Sequence, residues 1–200
     1  RWTSDPAHPV PTVHGAVLLQ TPNASQGPGD LAPLLDRDDV ILFATPPQSA
    51  PLNIAGRPLA RLWVATDAVD VDAMVRLVDV GPDGRVDLLV DAARRVSLRE
   101  TFAARSLLSG GETVAVTVEL PSIAVTIPAG HRLGVLVAAS NFDRFDRNMQ
   151  DGSSFSDEKG ASATPAQIEL RVDASYPSRI ELPVVTAPRP PRRRLPTEHS

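Results

Sequence analysis

An all-β fold built as a two-sheet β-sandwich, most simply a jelly roll, is what the sequence predicts, and three observations predict it. Short β-branched runs recur at roughly every 8 to 15 residues through the middle of the chain, the spacing of strands in sandwiches and barrels. Turn residues, notably Gly56, Pro82-Asp83-Gly84, Gly110-Gly111 and Pro128-Ala129-Gly130, fall between the runs and not within them. The 200 residues are 42% hydrophobic and 22% charged, enough apolar surface to bury one sizeable core.

The runs predict strands over Val40–Thr45, Leu59–Ala65, Met74–Val80, Val86–Val90, Thr113–Leu120, Ile123–Ile127, Leu133–Ala139 and Gln167–Val172. In Thr113–Leu120, Val114, Val116, Val118 and Leu120 alternate with Thr113, Ala115, Thr117 and Glu119, a period of two that buries one face and wets the other. Gln167–Asp173 alternates in the same way. Leu62 and Val64, with Trp63 between them read as core, and the denser Met74-Val75, Leu77-Val78 and Val80 predict strands packed on both sides. Only Asp91–Leu108 has room for a short helix.

Residues 1–35 are rich in proline and glycine around one apolar patch, Val17-Leu18-Leu19. Proline is excluded from central strands and helix interiors, so this stretch is read as an extended lead-in packing on the sandwich. Residues 36–186 hold the sandwich itself. Residues 187–200, with Pro188-Arg189-Pro190-Pro191-Arg192-Arg193-Arg194, lack apolar periodicity and are expected to be a disordered, solvated basic tail, although Pro188 and Pro191 have the spacing of a polyproline ligand. Arg1 stands where an initiator methionine would, so the sequence is expected to be part of a longer polypeptide.

Composition excludes several function classes. Twenty bases against 24 acids give a formal net charge of −4, without the basic face that nucleic acid demands. No run approaches the ~20 apolar residues of a membrane helix, so a soluble protein with no membrane partner is expected. The absence of cysteine removes thiol nucleophiles, disulfides and thiolate metal sites, and leaves a cytoplasmic or a secreted location open.

The search for chemistry nominates no catalytic group. A serine hydrolase elbow would read Gly-x-Ser-x-Gly, and no such string occurs. His8, His14, His131 and His199 are scattered without ligand spacing, so no metal and no cofactor is implied. Asp67, Asp70, Asp72, Asp79 and Asp83 crowd one strand pair beside Arg76, Arg85, Arg94, Arg95 and Arg99. Asp70-Val71-Asp72 is read as placing two carboxylates on one strand face, about 7 Å apart, and an ion-pair lattice with these arginines is expected in preference to calcium. Asp146–Gly152 opens like a calcium loop, but its glycine comes one residue late and Asp157 takes the place of the bidentate glutamate. It is read as a turn-rich loop. Asn23-Ala24-Ser25 is a glycosylation sequon, of consequence only in a secreted eukaryotic chain.

Several strings, in order, resemble one family. They are Asp5–Thr12, Gly27-Pro28-Gly29-Asp30, Arg37–Pro47, Leu52–Gly56, Asp70-Val71-Asp72, Leu77–Arg85, Arg95–Glu100, Pro128–Arg132, Ser140-Asn141-Phe142, Arg144–Asn148 and Pro177–Pro183. Their order and spacing resemble the C-terminal domain of the cocaine esterase and X-Pro dipeptidyl-peptidase family of serine hydrolases. The resemblance implies a galactose-binding-domain-like jelly roll without catalytic residues, carried by an α/β-hydrolase domain and a helical cap of the same polypeptide. The Ser-Asp-His triad then lies upstream of Arg1 and acts on a small ester or peptide substrate, while this chain alone is inactive. It also implies that Leu18 and Leu19 wall the acyl pocket, and that His131 orients loops and is not the catalytic histidine. Asp70, Asp72, Asp79, Arg95, Asn141 and Arg147 are expected in structural loop and ion-pair roles. The family pattern is broken at His14, Ala73 and Asp143, where it carries glycine, phenylalanine and proline. A free-standing carbohydrate- or ligand-binding module is the alternative, with Trp2, Trp63 and Tyr176 as its few stacking residues.

Overall fold

The structure, a computed structural model, describes residues 1–17, 25–154 and 162–186. It is a β-sandwich of antiparallel sheets, with one short parallel pair, β2 (His14–Gly15) and β3 (Ser25–Gln26), in the lead-in. One sheet joins β1 (Trp2–Ser4), β12 (Ala166–Arg171), β6 (Leu59–Thr66), β9 (Thr113–Glu119) and β13 (Arg179–Glu181). The other has the order β4 (Ile41–Ala44), β11 (Arg132–Ala138), β7 (Asp72–Val80) and β8 (Val86–Arg95). A pair formed by β5 (Leu52–Gly56) and β10 (Ile123–Ile127) contributes Ile54 and Ile127 to the same core.

Period-two patterning sets which side chains meet. Leu62 and Val64 of β6, Val116 and Val118 of β9, Ile168 of β12, and Val75 and Leu77 of β7 interleave between the sheets, each at most 5% exposed. Burying a side chain of this size stabilises by about 1.5–3 kcal/mol. Trp63, expected in the core, instead faces outward and meets Tyr176 edge-on at 5.3 Å. The alternation of β6 explains it: with Leu62 and Val64 inward, position 63 must point out.

β7 is buried on both faces. Its outer residues Met74 and Val78 join Val86 and Leu88 of β8 and Leu136 and Ala138 of β11 in a second cluster. The lid of this cluster comes from the lead-in: Val10, Leu31 and Leu34, the last on a 3-10 turn over Ala32–Asp36 with proline in its first turn. The lead-in is therefore not extended throughout, and its first residues form a strand of the sheet, Trp2 opposite Ile168. Its prolines lack N–H donors, so it is held at alternate points: Thr12 N–H to Phe142 O at 2.6 Å and Phe142 N–H to Val10 O at 2.9 Å.

Two further differences from the sequence reading have local causes. Asp91–Arg95 continues β8, and helical geometry there shrinks to a 3-10 turn over Val96–Leu98, because Asp91–Arg95 finds a partner in the start of β7. β12 and β13 are two halves of one path along β6, opposite Trp63–Thr66 and then Leu59–Arg61. The chain leaves β6 between them, and Ser178 Oγ accepts the Trp63 N–H at 2.8 Å.

Candidate functional site

The loops at one end of the sandwich gather the first group of candidate residues. Asp70 lies in the turn before β7, 0% exposed, and accepts from Ser97 N–H (2.8 Å), Ser97 Oγ (2.8 Å) and Arg105 Nη2 (3.1 Å). Asp72 opens β7 and takes a two-pronged pair from Arg95, Nε at 2.8 Å and Nη2 at 3.2 Å, with Asn148 Nδ2 at 3.0 Å. β7 starts only at Asp72, so the two carboxylates are not neighbours on one strand, and each has its own arginine. Burial pushes the Asp72 carboxyl above the usual carboxylate range, with the Arg95 hydrogen bond and charge opposing it. Burial works against the charge of Arg95, but the Asp72 hydrogen bond and charge overcome it and hold the guanidinium above its usual value.

Of the other arginines expected to pair with these aspartates, Arg85 bonds Asp87 at 2.7 Å, Arg94 stacks on Phe102 at 3.7 Å, and Arg99 caps the Ser106 carbonyl at 2.6 Å. Arg105, from the long β8–β9 connection, serves Asp70 in their place.

The remaining candidates lie apart. At the opposite end His131 Nδ1 meets Asp79 Oδ1 at 2.9 Å, beside the Gly81–Gly84 turn. Arg147 donates to Pro6 O at 3.3 Å and stacks on Phe142 at 5.1 Å. Asn148 and Gln150, the calcium-like positions of their loop, turn inward to Asp72 and to Ser4 Oγ (2.7 Å). Among the described residues no group of three or more His, Asp or Glu is placed to hold a metal ion. His8 pairs with Asp5 at 2.9 Å, and no serine hydroxyl is bonded to the ring of His8 or His131 among the described residues. Leu18, Leu19, Asn23, Asp157 and the basic tail lie outside the described residues. The feet of the segment holding Leu18 and Leu19 are fixed: His14-Gly15 runs parallel to Ser25-Gln26, with Ser25 N–H on Val13 O at 2.9 Å.

Asn141 leads to residues the sequence reading missed. Its Oδ1 accepts from Thr12 Oγ1 at 2.8 Å, and its Nδ2 donates to Asp91 Oδ2 at 3.3 Å. Asp91, 6% exposed, also pairs with Arg144 Nη1, and its neighbour across the β7–β8 ladder is Arg76, 2% exposed. The signal was present in the sequence as single charges inside apolar runs, Val75-Arg76-Leu77 and Val90-Asp91-Ala92. A charge inside an apolar strand run is buried with its neighbours and needs a partner. Asp91 and Arg144 line two clefts of about 370 and 420 Å³, the larger also bordered by Gly15–Val17, Gln26–Pro28 and Leu88–Val90.

Residues 3–181 match the family described as the X-Pro dipeptidyl-peptidase C-terminal non-catalytic domain. The chain is 36% identical over 181 residues to the cocaine esterase of Rhodococcus sp. (strain MB1 Bresler), covering 90% of this chain and 31% of the esterase. It superimposes on an α-amino acid ester hydrolase with a TM-score of 0.82 and 30% identity, covering 92% of this chain and 32% of that one. An aminopeptidase from a marine sediment archaeon (Thaumarchaeota archaeon) gives a TM-score of 0.79 and 29% identity over 92% of this chain and 33% of that one. The chain thus spans about a third of the length of each. With a sandwich closed by a lead-in, a family match over nearly its whole length and a 36% identical relative, the chain belongs to the C-terminal non-catalytic domains of the X-Pro dipeptidyl-peptidase and cocaine esterase family of hydrolases.

Proposed function

We propose that the chain is the supporting β-sandwich of a serine hydrolase whose triad lies on polypeptide upstream of Arg1, and that it walls the acyl pocket of that enzyme with Leu18 and Leu19. The observation that carries this reading is the family match over residues 3–181 in a chain spanning about a third of each relative. The substrate class is an ester or amide, X-Pro bonds included. The acyl-enzyme forms upstream, and the sandwich supplies apolar surface and excludes water at the pocket mouth. Two leucines at a pocket wall bury the acyl group at about 25 cal/mol per Å² without joining the chemistry.

The fixed stem supports this role. Gly15 and Gly27 exchange backbone hydrogen bonds at 3.0 and 2.9 Å, so the described residues on either side of Leu18 and Leu19 form a pinned base beside β8. The test is a p-nitrophenyl ester assay with fluorophosphonate labelling, on this chain and on the longer polypeptide. The reading expects no turnover and no label on the chain alone. In the longer polypeptide, L18A/L19A raises KM for long acyl groups more than for acetyl and spares label incorporation. Turnover by the isolated chain that tracks a labelled serine overturns it. The binding-module alternative draws on the outward Trp63, but its 61° edge contact with Tyr176 presents no flat stacking surface.

A further inference from the structure

The edge of β6 that carries β12 and β13 has a gap. β12 stands opposite Trp63–Thr66 and β13 opposite Leu59–Arg61, so Leu62 has no strand beside it on that edge. A continuous strand would carry on the alternation of Ile168 and Leu170, which face the core, and set further inward side chains beside Leu62. Instead Val172, next in that alternation, is 62% exposed, and a pocket of about 150 Å³ opens between the sheets. Ala60 and Leu62 line it from β6, and Val135 and Val137 from β11, with Leu170 and Ile180 flanking the gap. Phe43, 41% exposed, closes in from β4, on the face opposite Leu42, which joins the outer cluster. Protein interiors hold few voids larger than a water molecule, and this one has the dimensions of a missing side chain.

We propose that this pocket binds a small neutral hydrocarbon molecule, of the size of a benzene ring or a short branched alkane. Three observations set the class. An apolar cavity of this volume stays dry and takes a benzene-sized guest. The charged residue of its lining, Arg179, is held by Glu181 through Nε at 3.0 Å and Nη2 at 2.9 Å, so a charged guest would lose its water without gaining a counter-charge. The backbone donor at the gap, Trp63 N–H, is already given to Ser178 Oγ at 2.8 Å. What the gap lacks is apolar bulk and not a main-chain partner, which favours a free small molecule over an added peptide strand. This inference does not depend on the hydrolase reading.

The probe is benzene, added to the full 200-residue chain and read as the thermal midpoint and as methyl resonances in NMR spectra. Benzene raises the midpoint along a saturating curve, by about 3–6 °C at ten times its Kd. Its ring current moves the methyl resonances of Leu62, Val135, Val137, Leu170 and Ile180 and leaves those of Met74 and Val78, in the outer cluster, in place. A60L fills the pocket from β6 and V135F fills it from β11, and each abolishes the midpoint shift. R85Q, which breaks the surface pair with Asp87, keeps it. Where a filling variant fails to fold, the methyl map of the wild-type chain still decides. In the longer polypeptide benzene moves the same methyls; a pocket closed to benzene there is covered by neighbouring polypeptide, and that result overturns the proposal. So does the lack of a saturable effect in the chain, methyl shifts centred on the outer cluster, or a midpoint shift equal in wild type, A60L and V135F.

Discussion

The loop-end cluster around Asp70 and Asp72 and the outer-face cluster around Asp91 use the same residue types and reach opposite balances. At the loop end two carboxylates meet two arginines, Arg105 and Arg95, and Ser97 and Asn148 fill further acceptor positions. On the outer face one carboxylate meets two arginines, and two guanidinium nitrogens are left without acceptors. Arg76 is pulled down to about 10, by burial first and by the like charge of Arg144, with Asp91 opposing. It remains charged at neutral pH. The balanced cluster reads as architecture that ties three loops together. The unbalanced one carries a buried cation that shares its facing carboxylate with Arg144, an arrangement that costs stability.

The sharpest way to break this comparison is to unbalance the loop end. D70A leaves the Ser97 N–H buried without an acceptor and strips Arg105 of its carboxylate, and should cost about 3–5 kcal/mol in a urea titration. R95M strands Asp72, which keeps only Asn148, and should cost about 2–4 kcal/mol. The same substitution on the outer face has the opposite sense. R76M removes the surplus charge, leaves Asp91 paired with Arg144, and should be neutral or stabilising by about 1 kcal/mol. Equal losses in R95M and R76M would erase the distinction between the clusters.

Much of the sandwich was legible in the sequence, because period-two alternation is written locally. Ile123–Ile127 is a strand with the expected ends, and Val116, Val118 and Leu120 face inward as their alternation requires. Trp2–Ser4, Leu52–Gly56 and Arg179–Glu181, among the strands that were missed, are short or proline-flanked and exist because a partner strand lies beside them. The charged clusters were legible only in part. Nearness in sequence pointed Asp72 to Arg95, 23 residues away and directly opposite in the β7–β8 ladder. It gave no route to Arg105, which reaches Asp70 through a long connection, or to Arg144, brought to Asp91 across 53 residues by the loop after β11. Hydrogen bonds between loops depend on how the lead-in folds back over the sheet, and no local pattern encodes that.

Acid offers a gentler separation of the two regions, through the tether that holds the lid over the outer cluster. Asp30 Oδ1 accepts the Val86 and Ala32 N–H groups, each at 2.9 Å, and these bonds, the Val86 one first, hold its carboxyl below the usual aspartate range. The unfolded chain binds that proton first as the pH falls. The stability from Asp30 is therefore present above the ordinary aspartate value and is lost as the pH drops through the lowered one. Beside it Leu31 N–H bonds Val86 O at 2.8 Å and Leu88 N–H bonds Gly29 O at 3.0 Å, so loosening this point frees the Leu31–Leu34 lid before it touches the core between the sheets. D30N should cost about 0.5–1 kcal/mol at neutral pH, and its urea midpoint should converge with that of wild type as the pH is lowered through the aspartate range. Amide exchange should speed up at Val86 and Leu88 and stay slow at Val75 and Val116. Uniform exchange across both sets would mean that lid and inner core open as one unit.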